Sequence, residues 1–129
     1  NHRMGLFDAV LIKENHILAA GSIQRAVESA RRLAEGRPVE IEVESHAELE
    51  QALQAGVERV LLDNFNLEGL RAAVELGRGR VRLEASGGVT LEGVRDIALT
   101  GVDDISVGDL TKSVEAVDLS LRLSEPARI

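Results

Sequence analysis

Apolar positions along the chain follow two periods in turn. Short segments that alternate or run apolar read as strands over Ala9–Lys13, Val39–Val43, Arg59–Leu62, Val81–Glu84 and Asp104–Val107. Segments with apolar residues three and four apart read as helices over Ile23–Glu35, Ala47–Ala55, Leu67–Leu76, Leu91–Leu99 and Val114–Leu121. Leu49, Ala52, Leu53 and Gly56 share one helical face, as do Leu67, Leu70, Ala73 and Val74. Ser45-His46-Ala47-Glu48 has the form of a capping box, in which Ser and Glu satisfy orphan N–H groups at a helix start. His46 is expected to be solvated there. Gly36, Gly56, Gly77 and Gly101 follow the apolar runs, where a glycine can close a helix in the left-handed conformation. Pro38 stops the helix before it from continuing.

Five strand–helix units in strict alternation predict an α/β domain over residues 1–123, with a parallel sheet, right-handed crossovers and a tail at 124–129. Two architectures satisfy the pattern: a partial α/β barrel, or a flavodoxin-like doubly wound sheet. The second strand constrains both. Val39, Ile41 and Val43 point one way, and Glu40, Glu42 and Glu44 the other. Three carboxylates on a face buried without partners would cost several kcal/mol each. The acidic face therefore lines a polar lumen, or the strand lies at an edge, as the second strand does in the flavodoxin-like order. Both architectures remain open on this evidence.

Composition narrows the function classes. The 129 residues include no Cys, Trp or Tyr, and Phe7 and Phe65 are the only aromatics. Disulfide and thiol chemistry are excluded, and a reducing, cytoplasmic setting is expected. A net charge of −7 and the lack of stacking rings argue against a nucleic-acid partner. No apolar run approaches the ~20 residues of a membrane span, and residues 1–3 lead into no signal-peptide apolar region. An anionic ligand must then be held by local cations, backbone N–H groups or a metal.

Ligands of parallel α/β folds bind at the carboxyl ends of strands. Standing there are Lys13-Glu14-Asn15-His16, Glu42 and Glu44, Asp63-Asn64, Ser86-Gly87-Gly88, and Gly108-Asp109-Leu110-Thr111, with His2-Arg3 upstream. Ser86-Gly87-Gly88 fits a phosphate cradle at a helix start, and a tight βα turn equally well. Gly108 ends the neighbouring strand and could add a backbone donor. Glu42 and Asp63 fit magnesium held through substrate oxygens. A lumen ion pair with Lys13 or Arg3 is the simpler account of their spacing. His2, His16 and His46 form no ligand cluster, so no zinc site is expected. There is no G-x-S-x-G elbow, Walker A motif or G-x-G-x-x-G.

Asn1-His2-Arg3, Gly5-Leu6, Asp8 and Leu11-Ile12-Lys13-Glu14-Asn15-His16-Ile17 stand in order with Val39-Glu40-Ile41-Glu42-Val43, Leu61-Leu62-Asp63-Asn64, Leu83-Glu84-Ala85-Ser86-Gly87-Gly88, Thr100-Gly101-Val102-Asp103 and Asp118-Leu119-Ser120-Leu121. Together these motifs resemble the carboxylating nicotinate-nucleotide pyrophosphorylases, also called quinolinate phosphoribosyltransferases. The resemblance spans nearly the whole chain. It implies an α/β-barrel domain of an enzyme of NAD biosynthesis, which converts quinolinate and 5-phosphoribosyl 1-diphosphate with Mg2+ to nicotinate mononucleotide, diphosphate and CO2. It further implies that His2, Arg3 and Lys13 bind quinolinate, and that Lys13, Glu42 and Asp63 serve catalysis. Glu42 and Asp63 would meet the ribose hydroxyls or the magnesium-bound diphosphate, with no direct metal ligand. Ser86, Gly87, Gly88 and Gly108 would hold the 5-phosphate. Full-length members are homo-oligomers with a further N-terminal domain, so this chain alone is expected to be inactive.

Two positions depart from the family pattern. Asp104 stands where the family usually has Tyr, and Asp109 where it has the Ala of Gly-Ala-Leu-Thr. A carboxylate ~4 Å from a bound phosphate would repel it by about 4 kcal/mol at an effective dielectric of 20. Acidic residues also blunt exposed strand edges. The alternative to an enzyme domain is therefore an excised or engineered (βα)5 fragment, solubilised by these acids and refolded as a flavodoxin-like sheet without activity. A receiver-like domain would need clustered acids at the end of the first strand, where Lys13 stands.

Overall fold

The computed structural model describes residues 4–5 and 7–122. The sheet contains β1 (Val10–Ile12), β2 (Val39–Val43), β3 (Arg59–Asp63), β4 (Arg82–Ser86) and β5 (Asp104–Ile105). Helices α1 (Glu14–Ala20) and α2 (Ile23–Ala34) follow β1; α3 (His46–Ala55), α4 (Leu67–Gly77), α5 (Val94–Ala98) and α6 (Asp109–Lys112) follow β2, β3, β4 and β5. All strand pairs are parallel and the order is β1-β2-β3-β4-β5. Every crossover advances one strand in the same direction, as in the wall of an α/β barrel. In the described residues the sheet does not close.

This order decides between the two architectures. A flavodoxin-like sheet would place its second strand at an edge, whereas β2 lies between β1 and β3. The flavodoxin-like alternative is thereby corrected. The acidic side of β2 lies on the sheet face opposite the helices.

Periodicity explains the core. Val39, Ile41 and Val43 of β2, with Val60 and Leu62 of β3, turn to the helices and are almost wholly buried. Val27 of α2, Leu49 and Ala52 of α3, and Leu70 and Ala73 of α4 meet them. Each large side chain buried this way contributes roughly 1.5–3 kcal/mol. Ser22, Ser45 and Asn66 cap α2, α3 and α4, accepting from the N–H groups of Arg25, Glu48 and Gly69. Glu48 departs from the reciprocal capping box: its carboxylate accepts from the Glu44 N–H at 2.8 Å instead.

Three expectations about the elements need correction. The segment expected to be helical over Val114–Leu121 has no regular structure, and Val114, Val117, Leu119 and Leu121 are exposed. Its apolar residues fit a helix at 114, 117 and 121 but alternate at 117, 119 and 121. Without a surface to pack on, a short helix gains too little to form. The helix after β5 is instead α6. Second, α1 occupies the stretch after Lys13, to which the sequence pattern assigned no element. Its signals were Ile17 and Ala20, packed against the core, and Gly21 closing the helix at φ 84°. Third, Gly77 is the last helical residue of α4, and the left-handed turn falls on Gly79.

Candidate functional site at the carboxyl ends of the strands

Lys13 follows β1 in extended backbone and caps α1. The His16 ring accepts the Lys13 N–H through Nδ1 at 2.9 Å, so this histidine serves the helix start. The Lys13 ammonium reaches across to β2 and donates to Glu42 Oε2 at 2.7 Å. That hydrogen bond, with the nearby charges of Glu42, Glu14 and Asp63, raises the lysine's pKa above its ordinary value and keeps it cationic. Lys13, Glu42 and Asp63 are thus brought to one rim. The ion pair with Lys13 is the arrangement that spacing alone suggested for Glu42. His2 and Arg3 lie outside the described residues.

Asp63 ends β3 and is paired in register with Ser86, which ends β4. Gly87 and Gly88 follow with φ of 92° and 59°, both left-handed. These values explain a pair of glycines there, since a Cβ is disfavoured in that region. The structure corrects one detail of the phosphate cradle. The chain turns through residues 90–93 before α5 begins at Val94, so no helix start adjoins the glycines.

Ser86, Gly87 and Gly88 line a cavity of about 500 Å³ together with Asp63 and Gly108. The proposed phosphate residues therefore share one hollow with one of the two carboxylates. Asn64, already placed at this rim by the sequence but given no role, lines it too, as do Thr90, Ser106 and Lys112, which sequence reasoning missed. Lys112 carries the positive charge that the motif residues lack. Its spacing from Gly108, one helical turn, was a usable signal only once α6 was recognised. Asp109 also faces this cavity, and its carboxylate accepts from the Ser113 hydroxyl at 2.5 Å.

Below this rim, the non-helical face of the sheet carries a charge network. Arg59 of β3 lies 3.9 Å from Glu40, 3.7 Å from Glu84 and 2.5 Å from Asp104. Asp104 also accepts two bonds from Arg82, at 2.6 and 2.9 Å. The Arg82 bonds foremost, then Arg59 against the cost of burial, hold the Asp104 carboxyl well below the usual carboxylate range. Asp104 is thus an ion-pair partner for two strands, a role that explains an acid here better than the blunting of an apolar edge. The Ser106 hydroxyl donates to Glu84. His46 is also more than a solvated cap residue: its Nε2 lies 3.0 Å from the Gly69 carbonyl, and its ring packs edge-on against Phe65.

Comparison with known proteins places the chain in a family. Residues 1–122 match the family described as quinolinate phosphoribosyl transferase, C-terminal domain. The chain belongs to that family. A probable nicotinate-nucleotide pyrophosphorylase [carboxylating] of Bacillus subtilis is 41% identical over 123 residues, covering 94% of this chain and 42% of its own length. The human nicotinate-nucleotide pyrophosphorylase [carboxylating] is 40% identical over 127 residues, covering 95% and 43%. Among solved structures, the nicotinate-nucleotide pyrophosphorylase from Francisella tularensis superposes with a TM-score of 0.86 at 52% identity, over 93% of this chain and 43% of its own. The chain therefore spans about two-fifths of the length of these relatives. A thiamine phosphate pyrophosphorylase from Pyrococcus furiosus is similar to a lesser degree, with a TM-score of 0.64 at 26% identity. No helix among the described residues is long and apolar enough to cross a membrane.

Proposed function

We propose that this chain supplies the strand-end rim of a quinolinate phosphoribosyltransferase. The complete enzyme would take quinolinate and 5-phosphoribosyl 1-diphosphate to nicotinate mononucleotide, diphosphate and CO2, in the cytoplasm and as a homo-oligomer. The observation that carries this reading is the meeting of Lys13, Glu42, Asp63 and the Ser86-Gly87-Gly88 turn at one rim, in a chain of this family.

Each group has a chemical role in the reading. Lys13, kept cationic by Glu42, supplies local positive charge for an anionic substrate in a chain of net charge −7. His2 and Arg3 would take the carboxylates of quinolinate, which suit a bidentate guanidinium. Loss of diphosphate leaves positive charge on the ribose, and the Glu42 and Asp63 carboxylates stabilise it electrostatically. The 5-phosphate would sit on the Ser86, Gly87, Gly88 and Gly108 backbone, with Lys112 beside it. Glu42 and Asp63 also fit magnesium held through substrate oxygens, since each already engages a cationic or amide donor and need not ligate the metal directly. Bound magnesium would neutralise the departing diphosphate.

Calorimetric titration with 5-phosphoribosyl 1-diphosphate and magnesium tests the reading, on the chain and on its Asp109→Ala variant. Binding by the chain, strengthened in the variant, is expected. Absence of binding in both proteins would overturn it. Binding by the variant alone would show that Asp109 disables the phosphate site.

A further inference from the structure

Asn64 stands between two groups to which the proposed function gives separate tasks, and it touches both. It follows β3 directly and adopts φ 57°, one of two non-glycine residues with positive φ among those described. This conformation is uncommon for any residue with a side chain, and Asn tolerates it best. Three contacts come from it. The Asn64 side-chain amide donates to Asp63 Oδ2 at 2.8 Å. Its backbone N–H donates to the Ser86 carbonyl at 2.9 Å, one step beyond the last register pair of β3 and β4. Its backbone and side chain also occupy the space that a Gly87 side chain would need. A Cβ on Gly87 would come within 2.7 Å of Asn64 Cγ and 2.9 Å of its backbone nitrogen. Real Cβ atoms essentially never come so close to a neighbour, so Gly87 is required for its packing as well as for its φ of 92°.

These contacts form a continuous path from the Asp63 carboxylate, through Asn64, to the turn that lines the same cavity. We propose that Asn64 is a positioning residue that sets the Asp63 carboxylate and the Ser86-Gly87-Gly88 turn as one unit. A phosphoribosyl ligand then meets its ribose-hydroxyl acceptor and its phosphate donors at a fixed separation. The proposal rests on the reading of the site given above. It goes beyond that reading in assigning the spacing between two subsites to a residue that needs to touch neither ribose nor phosphate. The side chain and the backbone conformation do different work. The amide orients the carboxylate, while the left-handed backbone aims the N–H at the Ser86 carbonyl beside Gly87.

Two variants separate these parts. Asn64→Gly keeps the left-handed backbone and removes the amide; Asn64→Ala removes the amide and disfavours the left-handed backbone as well. The readouts are amide hydrogen exchange at Gly87 and Gly88 without ligand, and calorimetric affinities for inorganic phosphate and for 5-phosphoribosyl 1-diphosphate with magnesium. Asn64→Gly is expected to leave exchange and phosphate affinity within twofold of the parent, while weakening the phosphoribosyl ligand at least fivefold. Asn64→Ala is expected to speed exchange at both glycines at least fivefold and to weaken both ligands. Unchanged exchange in Asn64→Ala, or identical behaviour of the two variants, would overturn the proposal. A parent chain that binds neither ligand would overturn the reading of the site, while the exchange rates still decide whether Asn64 holds the turn.

Discussion

Replacing Asp104 by Asn tests whether the charge network under the rim holds the last two strands together. The substitution keeps shape and removes charge. Arg82 is exposed, so its two bonds are screened by water and are left out of the sum. The Arg59–Asp104 bond is different: the two side chains are 29% and 28% exposed and their atoms lie 2.5 Å apart. A charge-assisted hydrogen bond in that setting contributes about 1.5–3 kcal/mol. Arg59 would keep Glu84 at 3.7 Å and Glu40 at 3.9 Å, so the larger penalty of a stranded buried charge does not arise. The expected loss is therefore about 2 kcal/mol at pH 7. With a urea slope near ~2 kcal/mol/M, the midpoint should fall by about 1 M. The pH dependence follows from the lowered carboxyl pKa. Asp104 releases its proton more readily when folded, so its contribution is complete above the ordinary value of 3.8 and is lost as pH falls toward the folded value. The gap between parent and variant should be flat from pH 7 to 5 and narrow below pH 4. Urea unfolding followed by circular dichroism at pH 7, 5, 3.5 and 2.5 measures it. A gap that does not narrow in acid, or one below about 0.5 kcal/mol at pH 7, would refute the reasoning.

Other substitutions probe the core, a helix end and the rim. Leu49→Ala, at a position with 0% exposure, should cost about 2–5 kcal/mol in chemical denaturation, through lost burial and the cavity left behind. Gly56→Ala should cost about 1–2 kcal/mol by the same assay, because Gly56 closes α3 at φ 71° and a Cβ is strained there. Glu42→Gln should change stability by less than about 1 kcal/mol, since Lys13 is half-exposed. The same variant should lower the Lys13 pKa, read from the carbon-13 shift of its Cε against pH, because the bond Lys13 donates to Glu42 is the leading cause that raises it.

The elements were legible to different degrees for identifiable reasons. Residues 39–43 declared a strand through strict alternation of β-branched and acidic residues, and the structure gives those bounds to β2. Ser45 announced the start of α3, because a cap residue acts through local hydrogen bonds alone. The segment from 114 to 121 misled because its apolar residues fit two periods at once, and only a packing partner chooses between them. The candidate site was legible as a set of rim residues, since the carboxyl ends of parallel strands are fixed once the strands are placed. The positioning role of Asn64 and the presence of Lys112 were not. One acts through a backbone angle that Asn adopts only in context, and the other through a short helix with no periodicity to read.

Alternation of apolar positions by itself determined that this is an α/β chain of parallel strands. It also determined that Lys13, Glu42, Asp63 and Ser86 would stand at strand ends. Those are consequences of local geometry, the two-residue repeat of a strand and the 3.6-residue repeat of a helix. Strand order lay beyond it, because a βα unit buries its apolar face equally well beside either neighbour. The tertiary structure put β2 between β1 and β3, and so gave its acidic face a neighbouring strand on each side. It also brought Arg59, Glu84 and Asp104 together from three strands. Charges that are costly one by one become acceptable when the fold supplies each with a partner.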